Sequence, residues 1–231
     1  MSDGMIPVKV QGFGDVQVPA GSDFAAVLAA AGRGGDATVL AVSVDGVARD
    51  LSAAVEGPCT VSFLVFEDEA GQEVFRHSTA HLMAHAVQRL FPAARPTIGP
   101  VVEEVFYYDF AATPFTPEDL EKIEAEMRRI AAENLPVSRV EMTRDEALAA
   151  FADNKFKVEM IRDLPEGSIS AYRQGDFIDL CRGPHVPRTG VLAAVKLTKV
   201  AGAYWRADQR NEQLQRIYGV SFPDAARLEA H

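Results

Sequence analysis

Three histidines, His77, His81 and His85, stand four residues apart in HSTAHLMAH, and about a hundred residues later Cys181 and His185 follow in DLCRGPH. On a helix, positions i, i+4 and i+8 share one face, so the first run makes a ladder of imidazoles. Its outer rungs lie about 12 Å apart along the axis, too far to converge on one atom. A site can therefore use the pair 77/81 or the pair 81/85. In the second run Gly183-Pro184 forbids a continuing helix, so Cys181 closes a strand-like FIDLC stretch and a turn brings His185 back beside it. Imidazole and thiolate donors at such spacing suit proton transfer or metal ligation.

The alternative is structural: a histidine stripe can be a half-buried polar face, and a free cysteine is usually a small core residue. Against it stands concentration. The chain has five histidines and two cysteines, and four of those histidines and one cysteine fall in these two short segments. Familiar catalytic motifs do not compete. Ser78 and Leu82 follow His77 and His81, so there is no HExxH glutamate, and neither a GxxxxGK[ST] loop nor a GxGxxG turn after a strand occurs.

The elements that must position these residues come from 231 residues, 48% hydrophobic and 24% charged, enough for two modest cores. Cys59 and Cys181 are far apart and in unlike contexts, which argues against a disulfide framework and for a reducing compartment. No signal-like or eighteen-residue apolar run is present, so a cytoplasmic protein with no membrane partner is expected. The net charge of −10 argues against nucleic acid, but its distribution does not. Between Cys181 and Tyr218 lie Arg182, Arg188, Lys196, Lys199, Arg206, Arg210 and Arg216 against only Asp208 and Glu212, a local balance of +5 interleaved with Tyr204, Trp205 and Tyr218. Such a segment could stack bases and hold phosphates.

Residues 1–67 read as a β-rich unit of ubiquitin-like outline: alternating strands around a Gly turn, a capped helix at SDFAAVLAAA, an Asp45-Gly46 hairpin and a last strand CTVSFLVF. An acidic stretch at 68–73 reads as a linker, and helix is expected from Val74 with Met83, Val87 and Leu90 toward a core. Over 74–231 follow a β-rich IGPVVEEVFYYDF, helices capped at Thr116 and Thr143, and strands around KVEMI, SISAYRQ and DFIDLC. The fold class is α+β in both domains.

Four stretches, HSTAHLMAHAVQRLFP, IGPVVEEVFYYDF, DLCRGPHVPRTG and LTKVAGAYWRADQRNEQLQRIYG, together resemble the N-terminal half of bacterial threonyl-tRNA synthetases. The resemblance implies a TGS domain of β-grasp fold at the start and, from about residue 74, the editing domain shared with alanyl-tRNA synthetase. It resolves the ladder in favour of His77 and His81 and leaves His85 a neighbour. It also implies Cys181 and His185, Asp179, Lys157 in KFKVEMI and Tyr108 in FYYD as site residues. The expected activity is hydrolysis of mischarged seryl-tRNA(Thr). His77, Lys157, Asp179 and His185 are the candidate catalytic groups, and His81, Tyr108 and Cys181 contact the substrate. The positive end of the helix is expected to keep His77 neutral, and alanine at Lys157 or His77 is expected to slow the reaction while sparing the fold. No cofactor is expected to be required, although zinc at His77, His81, Cys181 and His185 is chemically possible. The resemblance stops before an aminoacylation core, so the expected partner is the tRNA acceptor end and the expected state a monomer, dimeric in a full-length synthetase. A non-catalytic tRNA-binding module and an alanyl-type editing protein are the alternatives. Val105 and Ala207 replace residues that are usually glycine in that family.

Overall fold

The computed structural model describes residues 4–165, 167 and 169–231. Met1–Asp3 at the start of the first expected domain and Ser168 at the start of the expected SISAYRQ strand lie outside them. The chain forms two compact units, Met1–Phe75 with Gly183–Pro187, and Arg76–Arg182 with Arg188–His231. Both mix helices and sheets.

In the first unit β1 (Met5–Val10) and β2 (Gly14–Pro19) form a hairpin, α1 (Phe24–Ala30) follows, and β3 (Ala41–Val44), β4 (Val47–Arg49) and β5 (Cys59–Leu64) complete a sheet ordered β2-β1-β5-β3-β4. The central strands β1 and β5 run parallel and every other pair antiparallel. Asp45 and Gly46 both take positive φ, 49° and 89°, the two-residue turn whose twist suits a hairpin. The α1 cap is Asp23, whose carboxylate accepts from the Ala26 N–H, and Phe24, Val27 and Leu28 turn one face of the helix onto Val8, Val10, Val42 and Val61.

The helix expected from Val74 begins earlier: α2 covers Glu69–Leu90. Glu, Ala and Gln in EDEAGQE read as linker by charge, but they are good helix formers. The start also requires glycine at 71, where a Cβ would come 1.8 Å from the Val65 carbonyl oxygen. From Leu82 through Val87 every residue is buried, including His85, so this stretch of α2 is enclosed on all sides rather than amphipathic. Leu90, expected toward the core, is instead exposed at the end of the helix.

The second unit holds two sheets. β6 (Arg95–Pro96), β7 (Val101–Val102), β8 (Val105–Ala111), β12 (Ala194–Tyr204) and β13 (Gln213–Phe222) make one, ordered β12-β13-β8-β6 with β7 also paired to β8. β9 (Val137–Met142), β10 (Ile169–Gln174) and β11 (Phe177–Leu180) make an antiparallel meander ordered β11-β10-β9. Around them stand α3 (Pro117–Glu133), α4 (Arg144–Ala150), α5 (Lys155–Asp163) and α6 (Ala225–Ala230). The expected capping boxes are present, Thr116 with Asp119 and Thr143 with Glu146. KVEMI is not a strand. Asn154 caps it, its side-chain oxygen accepting from the N–H groups of Phe156 and Lys157, and the burial of Lys157 and Ile161 follows the helical i, i+4 spacing. Ala207 sits at φ 57°, a conformation that favours glycine and costs another residue about 1–2 kcal/mol.

Candidate functional site

Within the second unit four elements converge. α2 supplies His77 and His81 one turn apart, with rings 5.1 Å between centroids and nearly perpendicular. β11 supplies Asp179 and delivers Cys181 just past its end, where Sγ lies 3.3 Å from His77 Nε2. α5 supplies Lys157 and β8 supplies Tyr108. Six of the seven residues expected for the site are thus brought together. His185 lies on the segment grouped with the first unit, where its backbone N–H donates to Asp50 Oδ1 at 2.8 Å.

The centre of the cluster is a buried charge pair. Lys157 and Asp179 are 2% and 1% exposed, with Nζ 2.6 Å from Oδ1. That contact is close in distance but poorly directed, so Oδ1 has no hydrogen bond of its own. The Tyr108 hydroxyl donates to Asp179 Oδ2 and accepts from Lys157 Nζ at 3.2 Å. His81 Nδ1 stands 3.7 Å from the same Oδ2, near enough to be oriented by the carboxylate and long for a hydrogen bond. Asp179 therefore orients Lys157, Tyr108 and His81 together.

Burial sets the protonation states. It lowers His77 from the usual 6.5 to about 4 against the opposing pull of Asp179, and it lowers His81 well below the usual value, aided by His77 and Lys157. The expected cause for His77, the positive helix end, does not apply. With α2 starting at Glu69, His77 lies two turns inside, beyond the reach of the dipole. Burial, then the Asp179 charge, hold the Tyr108 hydroxyl well above its ordinary value, so it remains a donor.

These groups open on a cleft of about 340 Å³ lined by His77, His81, Tyr108, Lys157 and Cys181, with Thr97–Pro100, Met160 and Leu180 as further walls. No residue of the strip Thr97–Pro100 was named as a site residue from sequence, although Ile98–Pro100 open the IGPVVEEVFYYDF stretch. Thr97 donates to the Asp109 carbonyl from both its N–H and its hydroxyl, and a Cβ at Gly99 would come 2.3 Å from the Tyr108 ring. The proline-flanked glycine before FYYD is the signal that could have marked this wall. One donor atom each from His77, His81 and Cys181 lies within 4.8 Å of the others, a set that could hold a metal ion, with Asp179 behind His81 as an outer carboxylate.

The basic segment is less available than its composition suggests. Arg216 forms a two-point contact with Asp109 at 2.6 and 2.8 Å, Arg206 pairs with Glu159 and Asp163, Arg210 with Asp208 and Lys196 with Glu124. Trp205 is buried against Phe156 and donates to Glu159 at 3.1 Å, so it is a core residue and not a stacking platform. Among the described residues no helix is long and apolar enough to cross a membrane.

Residues 169–218, which include Asp179, Cys181 and His185, match the family described as Threonyl and Alanyl tRNA synthetase second additional domain. The chain is 51% identical over 229 residues to the Threonine--tRNA ligase of Acidithiobacillus ferrooxidans, covering 94% of the chain and 36% of that protein. It is 56% identical over 196 residues to that of Coxiella burnetii, 83% of the chain and 30% of the relative, and 54% identical over 209 residues to that of Methylococcus capsulatus, 89% and 33%. The chain spans about a third of the length of these relatives. It is accordingly a homologue of the N-terminal part of the Threonine--tRNA ligases.

Proposed function

We propose that the chain carries a proofreading site that hydrolyses the ester joining serine to the terminal ribose of tRNA(Thr). The observation that carries this reading is the buried Lys157–Asp179–Tyr108 set meeting two neutral imidazoles at one small cleft. A site built for threonine cannot reject serine by more than about 1–3 kcal/mol of lost methyl contact, so a second, smaller site must remove the error by excluding threonine.

The reaction needs a positioned water, a proton acceptor and stabilisation of the tetrahedral oxyanion. His77, neutral above about pH 4, accepts the proton of water, with His185 the other candidate base. Lys157 lines the cleft and faces the oxyanion, its ammonium held in place by Asp179 and Tyr108. His81 and Cys181 form the wall against which the amino acid packs. Asp179, already engaged with Lys157 and Tyr108, serves by orienting them and His81.

In this reading hydrolysis is metal-independent. Zinc, if bound, would be held by His77, His81 and Cys181 with His185 as fourth donor, and would supply Lewis-acid polarisation; the 3.3 Å separation of Sγ and Nε2 is compatible with two ligands of one ion. We assign residues 1–67 to a TGS-type β-grasp, which the β2-β1-β5-β3-β4 order with one packed helix supports, and 74–231 to the editing domain, with 68–73 connecting them. The partner is the serine-bearing acceptor end of tRNA(Thr) in the cytoplasm, and the chain acts as a monomer.

The test is to incubate the chain with seryl- and threonyl-charged tRNA(Thr), with and without a chelator, and follow amino-acid release. Serine should be freed, threonine retained, and the chelator without effect. Equal release of both, or of neither, defeats the proofreading assignment; release abolished by the chelator replaces it with the zinc variant.

A further inference from the structure

His85 has no part in the chemistry proposed above, yet it is 1% exposed and satisfied at both ring nitrogens. Gln174 Nε2 lies 3.1 Å from His85 Nδ1 and 3.4 Å from the His81 carbonyl oxygen, so this amide end is the donor and Nδ1 must accept. The ring proton is then on Nε2, which donates to Asp176 Oδ1 at 2.9 Å. The ring also lies flat on Phe177, 5.2 Å between centroids and 12° between planes. Gln174 and Asp176 flank the turn from β10 to β11, and Gly175 between them has positive φ, with a Cβ there meeting Leu135 at 3.0 Å. His85, together with Arg89, whose Nη2 donates to the same Asp176 Oδ1 at 3.2 Å, thus ties α2 to the turn that starts β11.

The tie matters because of a match in spacing. Four residues of helix rise about 6 Å and two residues of strand about 6.6 Å. Successive turns of α2 therefore meet alternate residues along β11 and just beyond it: His85 on Phe177, His81 at 3.7 Å from Asp179, His77 at 3.3 Å from Cys181. Slipped by one rung, the same faces would set His81 on Phe177 and His77 on Asp179. The His85 rung does forbid it, because Gln174 and Asp176 recognise its two nitrogens differently. We propose that His85 is a positioning residue whose fixed tautomer sets the register of β11 against α2, and with it the pairing of His77 with Cys181 and of His81 with Asp179.

Two readouts test this, of which only the second rests on the proofreading assignment. The first is alkylation of Cys181 by iodoacetamide, with Cys59 as internal control. His85→Phe keeps the stacking on Phe177 and removes both hydrogen bonds. It should change the Cys181 rate by about fivefold or more, because thiol reactivity follows its polar neighbours, and leave Cys59 unchanged. Asp176→Ala should act in the same direction at a side chain 73% exposed, where folding is not at risk, and Asp176→Asn, which keeps the acceptor, should restore the wild-type rate. The second is deacylation of seryl-tRNA. His85→Phe should lower kcat about ten- to a hundredfold with KM within about twofold, and the loss should not add to that of Asp179→Asn. Should His85→Phe fail to fold, Asp176→Ala decides by the same measurements. A Cys181 rate within about twofold of wild type in Asp176→Ala, and in folded His85→Phe, overturns the proposal whether or not wild type hydrolyses seryl-tRNA.

Discussion

Lys157→Met loses both stability and deacylation. The side chain is 2% exposed and its partner Asp179 1% exposed, so the substitution leaves a carboxylate buried without its counter-charge, a loss of about 3–5 kcal/mol. In the proposed mechanism the same change also removes the group facing the oxyanion, so hydrolysis should slow about 10²–10³-fold. The two effects separate in the double variant Lys157→Met/Asp179→Asn. With the orphaned charge gone, the urea midpoint should recover most of the way to wild type, while the rate stays low. A single variant as stable as wild type would show that the pair contributes nothing as an ion pair, and full activity in either variant would remove Lys157 from the mechanism. Sequence alone led to the expectation that Lys157 could be replaced without harm to the fold; its burial beside Asp179 points the other way.

His77→Ala should slow deacylation about 10²–10⁴-fold, the usual contribution of a positioned base. The wild-type rate should hold from neutral pH down to about 5 and fall only around pH 4, where His77 takes up its proton, instead of near 6.5. Stability carries the same signature. Because the folded value is depressed, the unfolded chain binds the His77 proton first as pH drops below about 6.5, and the folded state loses up to about 3 kcal/mol by pH 4, after which this contribution is constant. His81 and His85, whose values burial also lowers, act in the same direction. His77→Ala should therefore flatten the dependence of the unfolding midpoint on pH between 6.5 and 4. An equally steep curve in the variant, or a wild-type rate that halves near pH 6.5, would contradict the burial of a neutral imidazole at this position.

What was readable before folding follows the range of the forces involved. Local rules worked: the Asp45-Gly46 hairpin and the caps at Thr116 and Thr143 depend on a few neighbouring residues and are where spacing placed them. The KVEMI segment failed because five residues contain one helical repeat or two strand repeats, and the deciding residue, Asn154, lies outside it. The imidazole ladder and the Cys181 turn were legible as chemistry, since donor types do not depend on tertiary context. The partnership of Lys157, Tyr108 and Asp179 was not. It joins three elements separated by 49 and 71 residues, and nothing in a lysine or a strand tyrosine announces that it will be buried beside a carboxylate. The cause expected to keep His77 neutral, the helix dipole, was misplaced, since the true helix start moves His77 out of its reach and burial is what lowers its pKa.

The internal pairing of Arg206, Arg210, Arg216 and Lys196 bears on solution behaviour far from any cleft. Affinity for a polyanion that comes from freeing its condensed ions scales with the number of cations the protein brings, and those already matched by their own carboxylates bring few. On a chain of net charge −10, the logarithm of the RNA affinity should therefore fall with the logarithm of salt at a slope of about −1 to −3, where seven engaged cations would give about −5 to −6. A titration of tRNA binding across salt concentrations reads that slope directly, and a steep one would mean that these ion pairs open when RNA arrives.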